Sequence, residues 1–354
     1  MLSKNSFNKD FSKCLEISNK FIKINKQLKS KQYWAIRSEV CLNLFLWHLN
    51  EFKNKRDPRQ HFIQAFKEAI EILEIRKKNK LLKNIFPISK KNLTTFEDNI
   101  QTLFSNIWQN MTDDIYFNQT FKFTKTRFLK SGLNPYTFFK DKIVLDAGCG
   151  SGKFSSAIAK FKAKKVYGVD IGKLGLEFAN KQKKKKKYCK VIVYKYGSIL
   201  NLPLKKNSVD IVWSNGVVHH TIDYHKCLKE FHRVLKKDGK LYLYVNGSMG
   251  LFEILQEKIR LAFDDIPKEF MSSYLKLLNV DSGRLYWLQD CLNAPYEYKS
   301  MSQLTKLLKK IGFKIDKQLL RGVKIDQIEQ LSSGLSYGKM KYGDGQIKLI
   351  CSKN

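Results

Sequence analysis

The chain has 354 residues, a length that allows two domains or one domain with a large extension. Apolar residues make up 43% and aromatic residues 13% of the sequence, which supplies a sizeable core and excludes a disordered chain. The formal net charge of +34 comes from 66 basic against 32 acidic residues.

The basic residues comprise 57 lysines and 9 arginines. Proteins that read phosphates or bases usually depend on arginine, because its planar guanidinium donates two parallel hydrogen bonds. An AT-rich genome, whose codons favour Lys, Asn and Ile, also explains a lysine excess. We therefore favour codon bias over a nucleic-acid footprint and keep the footprint as the alternative.

Seven scattered cysteines without a CxxC pair argue against a disulfide framework and against the usual structural zinc spacings. The first residues, MLSKNSFNKD, lack the apolar segment of a signal peptide, and no run of 18 apolar residues occurs. We expect a soluble cytoplasmic protein with no membrane span.

The first part of the chain reads as helices around residues 11–29, at 33–50 and from Pro58 onward. In the third helix, apolar residues at positions 62, 66, 69, 70 and 73 form one amphipathic stripe. The lysine-dense stretch 76–92, which contains a proline, is the candidate linker, and residues 96–131 resume a helical pattern. We predict a helical N-terminal domain at 1–92 and a second domain at 93–354.

From residue 142 the pattern changes to short β-branched or aromatic runs separated by helical stretches: KIVLDAG, KKVYGVD, KVIVYKYG, VDIVWSNG and KLYLYVNG. This alternation predicts βαβ units, a mainly parallel sheet and helices on both of its faces. Further on, LTKLLKKIGFKID predicts a helix and a strand, and DGQIKLICSK predicts a final strand.

The sharpest motif is VLDAGCGSG, in which a strand ends at Asp146 and three glycines, Gly148, Gly150 and Gly152, open the next helix. Small residues let the backbone approach a ligand closely, and the amides of a helix N-terminus face it. A P-loop would need a hydroxyl residue where Phe154 stands, and a dinucleotide fingerprint would need Gly or Ala at Lys153. What remains is GxGxG with an acidic residue two positions before it.

This loop, the acidic strand end VYGVD, and the later segments SNGVVHH and FHRVLKKDGKLYLYV occur in the order typical of one family. Over residues 125–354 the sequence resembles the class I S-adenosylmethionine-dependent methyltransferases, in particular the subgroup that includes quinone-biosynthesis C-methylases and small-molecule O-methylases. The resemblance implies a Rossmann-like α/β sheet, mostly parallel with an antiparallel last strand, and S-adenosyl-L-methionine as cofactor.

The resemblance also implies roles for individual residues along the loops that follow the strands. The residues expected to bind the cofactor are Asp146, Gly148 and Gly150 at its methionine end, Gly152 for close helix packing, Asp170 at the ribose, Ile171, Ser198 and Ile199 at the adenine, and Asn215 and Gly216 at the methyl-transfer mouth. The family usually has an aspartate where Ser198 stands, and a hydroxyl accepts hydrogen bonds more weakly than a carboxylate. This departure motivates the alternative of a non-catalytic cofactor-binding protein.

His219 and His220 follow the fourth strand, at the edge where ligands bind in such sheets. An imidazole suits proton transfer from a hydroxyl or an acidic carbon, so these are the candidate catalytic residues. The competing interpretation is that one of the pair only packs locally. Adjacent histidines rarely chelate one ion, and we expect no metal.

A long insertion at 249–300 follows the fifth strand and contains many aromatic residues. The resemblance implies that it covers the substrate, and Tyr296 and Tyr298 are the residues expected to face it. For most of the other rings, at positions 252, 263, 270, 274, 286 and 287, we slightly favour a small core of the insertion itself over a substrate pocket. Arg284 could pair with an acidic group of the substrate or with a surface carboxylate.

The lysine run 183–187 lies in a helix-to-strand connection, opposite the expected cofactor mouth. The predicted acceptor is therefore a small or medium-sized molecule, methylated on oxygen, nitrogen or carbon. A wobble-uridine tRNA methyltransferase is the alternative, because SNGVVHH also resembles that group. The sequence leaves the oligomeric state open.

Overall fold

The computed structural model describes residues 11–50, 57–78, 111–278, 290–291, 294, 296–320 and 336–354. The predicted boundary at residue 93, most of the predicted linker 76–92, and Arg284, Tyr286 and Trp287 lie outside these ranges. Among the described helices, none combines the length and apolar character needed to cross a membrane.

Twelve α-helices occur in the described residues. They are α1 (Ser12–Asn25), α2 (Trp34–Asn50), α3 (Pro58–Lys78), α4 (Thr120–Lys130), α5 (Pro135–Phe139), α6 (Lys153–Lys160), α7 (Lys173–Lys183), α8 (Tyr224–Val234), α9 (Leu251–Phe263), α10 (Lys268–Leu277), α11 (Met301–Ile311) and α12 (Ser336–Tyr342). A π-helical segment, Asp114–Gln119, leads into α4.

Seven strands form one sheet. They are β1 (Ile143–Ala147), β2 (Lys165–Asp170), β3 (Ile192–Tyr196), β4 (Val209–Asn215), β5 (Leu235–Asn246), β6 (Phe313–Gln318) and β7 (Gln346–Lys353). Their order is β3-β2-β1-β4-β5-β7-β6. β1 to β5 pair in parallel, whereas β7 is antiparallel to both β5 and β6. The predicted Rossmann-like fold class, with its antiparallel last strand, is confirmed.

The local sequence explains where several of these helices begin and end. Asp223 caps α8 by accepting a hydrogen bond from the Lys226 amide at 2.8 Å. Ser300 and Gln303 form a reciprocal capping box at the start of α11. That helix ends at Gly312, whose φ of +106° favours glycine.

The sheet has an apolar core on each of its faces, in agreement with helices on both sides. One core gathers Leu145, Val212, Phe231 and Leu243, and the other gathers Val144, Ile158, Trp213 and Tyr242. Adjacent strand residues thus alternate between the two cores. The rings of Trp213 and Tyr242 stack with centroids 3.7 Å apart.

The chain divides into two compact units. The sheet unit contains all seven strands with α4 to α8 and α11. The helical unit contains α1 to α3 together with α9, α10 and α12, which come from distant parts of the chain. The sequence predicted the N-terminal helices as a domain of their own, and the structure adds most of the 249–300 insertion to them.

Apolar residues and a buried ion pair hold the helical unit together. Phe21, Phe45 and Phe66 share one core with Leu251 and Ile254 of α9. Arg37, fully buried, donates to both carboxylate oxygens of Asp265 at 2.9 and 2.6 Å and to the carbonyl of Ala262. These contacts explain why the insertion groups with the N-terminal helices.

Candidate functional site

The glycine loop between β1 and α6 has a backbone that other residues rarely adopt. Gly148, Gly150 and Gly152 have φ values of +74°, +51° and +80°. A Cβ at Gly148 would overlap the side chain of Val217, and a Cβ at Gly152 would overlap the ring of Tyr194. Glycine is therefore required at positions 148 and 152 both by conformation and by space.

Asp170, at the carboxyl end of β2, holds this loop in place. Its two carboxylate oxygens accept hydrogen bonds from the amides of Gly150 at 2.8 Å and Gly172 at 2.7 Å. Burial raises the pKa of Asp170, while the backbone amides partly offset that rise. Each oxygen of an ionised carboxylate has a second lone pair, so the half-buried side chain can accept from ligand hydroxyls as well.

Asp146 lies behind the loop. It is 3% exposed, and the Ser155 hydroxyl donates to its Oδ2 at 2.6 Å. Burial raises the pKa of Asp146 to about 7, the hydrogen bond from Ser155 opposes the rise, and the charge of Asp170 adds to it. A carboxyl group in this setting anchors the start of α6 to the end of β1.

The predicted adenine-binding residues lie on the connections that follow β2 and β3. Ile171 is half-buried and Ile199 is buried. The Ser198 hydroxyl accepts a hydrogen bond from the Leu200 amide at 3.2 Å, so it also stabilises its own turn. The Gly197 amide donates to the Asp170 carbonyl at 3.0 Å, which brings this turn next to the end of β2.

Asn215 is the last residue of β4, and Gly216 follows it. Beside them lies a buried arginine that the sequence analysis missed. Arg127 of α4, 3% exposed, donates to the Tyr242 hydroxyl at 3.1 Å and to Asn215 Oδ1 at 3.4 Å. The Tyr242 hydroxyl is 3.3 Å from the same Oδ1. Because Oδ1 receives both donors, the Asn215 amide group is oriented with its NH2 directed away from them.

His219 and His220 lie in a short 3-10 turn after β4, and both are buried. The ring of Tyr296 stacks on His219 at 4.8 Å with an interplanar angle of 7°, and meets His220 edge-on at 4.3 Å. Tyr298 stacks on Tyr296 at 5.4 Å. The structure thus brings together the two predicted catalytic histidines and the two predicted substrate-facing tyrosines.

The two histidines differ in their backbone surroundings. His219 Nδ1 accepts a hydrogen bond from the Asn246 amide at 3.3 Å, and the His219 carbonyl accepts from the Glu297 amide at 2.7 Å. These bonds tie the turn to the end of β5 and to the segment that carries Tyr296. Within the described residues, no three His, Cys, Asp or Glu side chains group as metal ligands.

Aromatic residues of the insertion other than Tyr296 and Tyr298 pack inside the helical unit where they are described. Phe252 stacks with His48 at 5.4 Å, and Phe270 meets Trp34 edge-on at 5.5 Å. Phe263 is buried in the same core, and Tyr274 stacks with Phe270 at 6.0 Å. Phe252, Phe263 and Phe270 thus belong to a core shared with the N-terminal helices, whereas the sequence analysis offered a small core of the insertion itself.

The residues present fit the cofactor that the resemblance implies. Ser151, between two of the glycines, is fully buried, and its hydroxyl has no hydrogen-bond partner within the described protein. A buried hydroxyl without a partner is costly, and a bound polar ligand at the loop would relieve that cost. Asp170 retains acceptor capacity beside the same loop.

Ser151 and Arg127 escaped the sequence analysis for different reasons. Ser151 occupies a variable position of GxGxG, and that motif makes predictions about the glycine backbone but not about the side chains between the glycines. Arg127 is one of nine arginines in a chain of 57 lysines, and its spacing from the buried Thr124 and Thr120 places it on the inner face of α4. A rare arginine on the inner face of a predicted helix was the signal that could have identified Arg127 as a buried site residue.

Comparisons with known proteins agree with this geometry. Residues 145–243 match the family described as "Methyltransferase domain". A demethylmenaquinone methyltransferase of Lactobacillus johnsonii is 30% identical over 175 residues, which cover 48% of this chain and 67% of the relative. A malonyl-[acyl-carrier protein] O-methyltransferase of Yersinia pestis is 28% identical over 173 residues, covering 48% of this chain and 60% of the relative.

Among solved structures, a chain from the complex of the Haloferax volcanii Trm112 methyltransferase activator with a methyltransferase aligns with a TM-score of 0.46 and 17% identity. The alignment covers 70% of this chain and 96% of that one.

The doubly wound sheet, the glycine loop and the acidic end of β2 are the features of a Rossmann-like α/β fold. The chain belongs to the class I S-adenosylmethionine-dependent methyltransferases, and its cofactor is S-adenosyl-L-methionine. The predicted family, enzyme class and cofactor are confirmed.

Proposed function

We propose that this methyltransferase transfers the methyl group to an oxygen or carbon atom of a small, ring-shaped or acyl acceptor. The observation that carries the proposal is the cluster of His219, His220, Tyr296 and Tyr298 after β4. It combines a titratable imidazole with flat apolar rings beside the cofactor loops. The names of the relatives, one acting on demethylmenaquinone and one on a malonyl thioester, support this acceptor class.

The bound cofactor supplies an electrophilic methyl group on a sulfonium, and the task left to the protein is alignment and proton removal. Alignment of two reacting groups can supply about 7–11 kcal/mol of the barrier. Asp170 and the glycine loop would hold the cofactor, with Ile171, Ser198 and Ile199 at its adenine. Asn215, whose NH2 is directed away from Arg127 and Tyr242, would donate to an oxygen at the mouth.

We assign the proton-accepting role to His220 rather than His219. A neutral His219 whose Nδ1 accepts from the Asn246 amide carries its proton on Nε2, and such a ring donates rather than accepts there. His219 instead fixes the position of Tyr296 by stacking on it. A positioned base contributes roughly 10²–10⁴-fold to such a step.

The first experiment is calorimetric titration of the purified chain with S-adenosyl-L-methionine and, separately, with NAD. Radiolabelled methyl transfer is then measured to a 2-prenyl-1,4-naphthoquinol, to a malonyl thioester and to total RNA. Label in either small molecule supports the proposal. Label in RNA alone overturns it, and cofactor binding without transfer to any of these or to a cell extract favours the non-catalytic alternative.

A His220→Asn variant tests the assignment of the base. We expect kcat to fall by at least 100-fold, with little change in cofactor affinity. His219→Asn is the matched control and should lose less activity. Equal losses in both variants would contradict the assignment of the base to His220.

The tRNA methyltransferase alternative is not favoured, because the lysine run precedes β3 and lies at the edge of the sheet opposite the histidines. The cytoplasmic location stays a prediction. It is supported by the seven buried cysteines, none of which forms a disulfide, as is usual in a reducing compartment.

A further inference from the structure

The lysines of the sheet unit are concentrated at one edge of the sheet. β1 to β5 all begin at this edge, which we call the amino edge. The segments that lead into the first four strands are 140–142, 161–164, 184–191 and 205–208. Together they contain eleven lysines and one acidic residue.

The opposite edge, where these strands end, has a different composition. The connections that leave β1 to β4 there are 148–152, 171–172, 197–204 and 216–223. They contain no lysine or arginine, and Asp223 is their one acidic residue. Codon bias alone would place lysines at both edges. The difference in lysine content between the two edges therefore argues for a function of the amino edge.

The lysine side chains at the amino edge are accessible. Lys185 pairs with Asp113 at 2.6 Å. The other ten are exposed and form no ion pair with any described residue: Lys140, Lys142, Lys162, Lys164, Lys184, Lys186, Lys187, Lys190, Lys205 and Lys206. Together these ammonium groups create a positive potential that attracts polyanions.

We propose that the amino edge binds the phosphate backbone of nucleic acid, as a docking surface separate from the methyl-transfer site. Lysine ammonium groups on flexible stems interact with phosphates as point charges, without the base recognition that arginine provides. The four neighbouring strands whose leading segments carry these lysines, about 4.8 Å apart, make an edge roughly 14 Å long, which matches about four base pairs of duplex.

A nucleic acid is favoured over a lipid surface by the placement of the exposed apolar residues. Leu174, Tyr196 and Ile222, which are 44%, 60% and 64% exposed, follow β2, end β3 and follow β4, at the edge opposite the lysines. Membrane-binding faces usually combine basic residues with such apolar side chains. The segments 140–142, 161–164, 184–191 and 205–208 contain no large apolar side chain of this exposure, although Tyr136 and Val193, 37% and 36% exposed, adjoin them.

The docked nucleic acid would be a tether and not the methyl acceptor. The histidines and the glycine loop lie at the carboxyl ends of β4 and β1, across the sheet from the lysines. The inference is therefore independent of which small molecule is methylated.

The test is fluorescence anisotropy of the full chain with a fluorescein-labelled 20-base-pair DNA duplex at several KCl concentrations. A variant with Lys184, Lys187, Lys190 and Lys205 replaced by Gln should bind at least tenfold more weakly at 100 mM KCl. The slope of log K against log[KCl] should become shallower by about 3 to 4, one unit for each lost phosphate contact. Cofactor binding should stay unchanged.

The matched control replaces Lys13, Lys20, Lys29 and Lys67 of the helical unit by Gln, which changes the net charge equally. This variant should bind the duplex as the unaltered chain does. Equal loss in both variants would overturn the proposal in favour of net charge alone. Vesicles with 30% phosphatidylserine that bind more tightly than the duplex, and only through the four amino-edge lysines, would overturn it in favour of a lipid surface.

Discussion

At the scale of single residues, the candidate site depends on carboxylates whose surroundings differ although both follow a strand. Asp170 is half-buried and accepts two backbone amides, whereas Asp146 is 3% exposed and accepts the Ser155 hydroxyl. The first carboxylate can face a ligand, and the second stabilises the turn behind it. Their roles therefore separate by exposure and not by residue type.

Asp170→Ala removes the acceptor for the Gly150 and Gly172 amides and for the ribose hydroxyls that we propose it binds. We expect the dissociation constant for S-adenosyl-L-methionine to rise between tenfold and a hundredfold, because hydrogen bonds to a charged group contribute about 1.5–3 kcal/mol. Calorimetric titration measures this change. Asp113→Ala, at a surface pair with Lys185, is the control and should bind normally; normal binding by the Asp170 variant would remove the ribose assignment.

Asp146→Asn should alter how stability depends on pH. A folded-state pKa of about 7, above the unfolded value near 4, means that the folded chain keeps a proton that the unfolded chain loses. Ionisable Asp146 therefore lowers stability progressively from about pH 4 to pH 7. Asparagine preserves the acceptor for Ser155 without this penalty.

The stability gain of the Asp146→Asn variant over the unaltered chain should consequently grow across that pH interval, by roughly 2–4 kcal/mol. Urea unfolding at pH 5 and pH 7.5 measures it. The exposed Asp238→Asn is the control and should show a flat difference. A difference for Asp146→Asn that shrinks as the pH rises would contradict the argument.

At the scale of helices and strands, the sequence predicted what local pattern determines. The five runs from KIVLDAG to KLYLYVNG became β1 to β5, and GxGxG predicted the turn between β1 and α6. The sequence analysis named His219, His220, Tyr296 and Tyr298 as candidate site residues, but it did not predict their mutual stacking. Stacking joins segments more than 70 positions apart, and no periodic pattern records such a contact.

The pairing of α2 with the segment that follows α9 could not be predicted for the same reason: the residues in contact are far apart in the sequence. Arg37 and Asp265 are separated by 228 positions, and nothing near either one indicates the other. Burial raises the pKa of the Asp265 carboxyl, but the hydrogen bond and charge of Arg37 outweigh it and leave that pKa below its usual value. The pair thus holds helices that the sequence analysis had assigned to different domains.

Asp265→Asn should destabilise the helical unit, because it leaves the buried Arg37 without its counter-charge. We expect a loss of about 3–5 kcal/mol, as is typical when one partner of a buried pair is removed. The neighbouring Asp264 lies 3.7 Å from Lys26 and is half-exposed, so Asp264→Asn should cost less than about 1 kcal/mol. Thermal unfolding of both variants tests the contrast, and equal midpoints would refute it.

At the scale of the whole molecule, each unit is assembled from separated stretches of chain. The helical unit takes its helices from before residue 79, from 251–277 and from 336–342, with most of the sheet unit between them. The two units are therefore not successive domains that could be separated by a single cut. The polarity of the sheet unit, with lysines at one edge and the glycine loop and histidines at the other, is also visible only once the topology is known.

This order of segments bears on how the protein is made. α1 to α3 are synthesised before α9, which supplies partners for their apolar faces and begins 173 positions after α3 ends, and α12 comes later still. At about 5–20 residues per second, the interval before α9 is roughly 10–35 s. For that time Phe21, Phe45 and Phe66 lack the part of their native packing that α9 supplies, so apolar surface of α1 to α3 stays exposed while the sheet is synthesised.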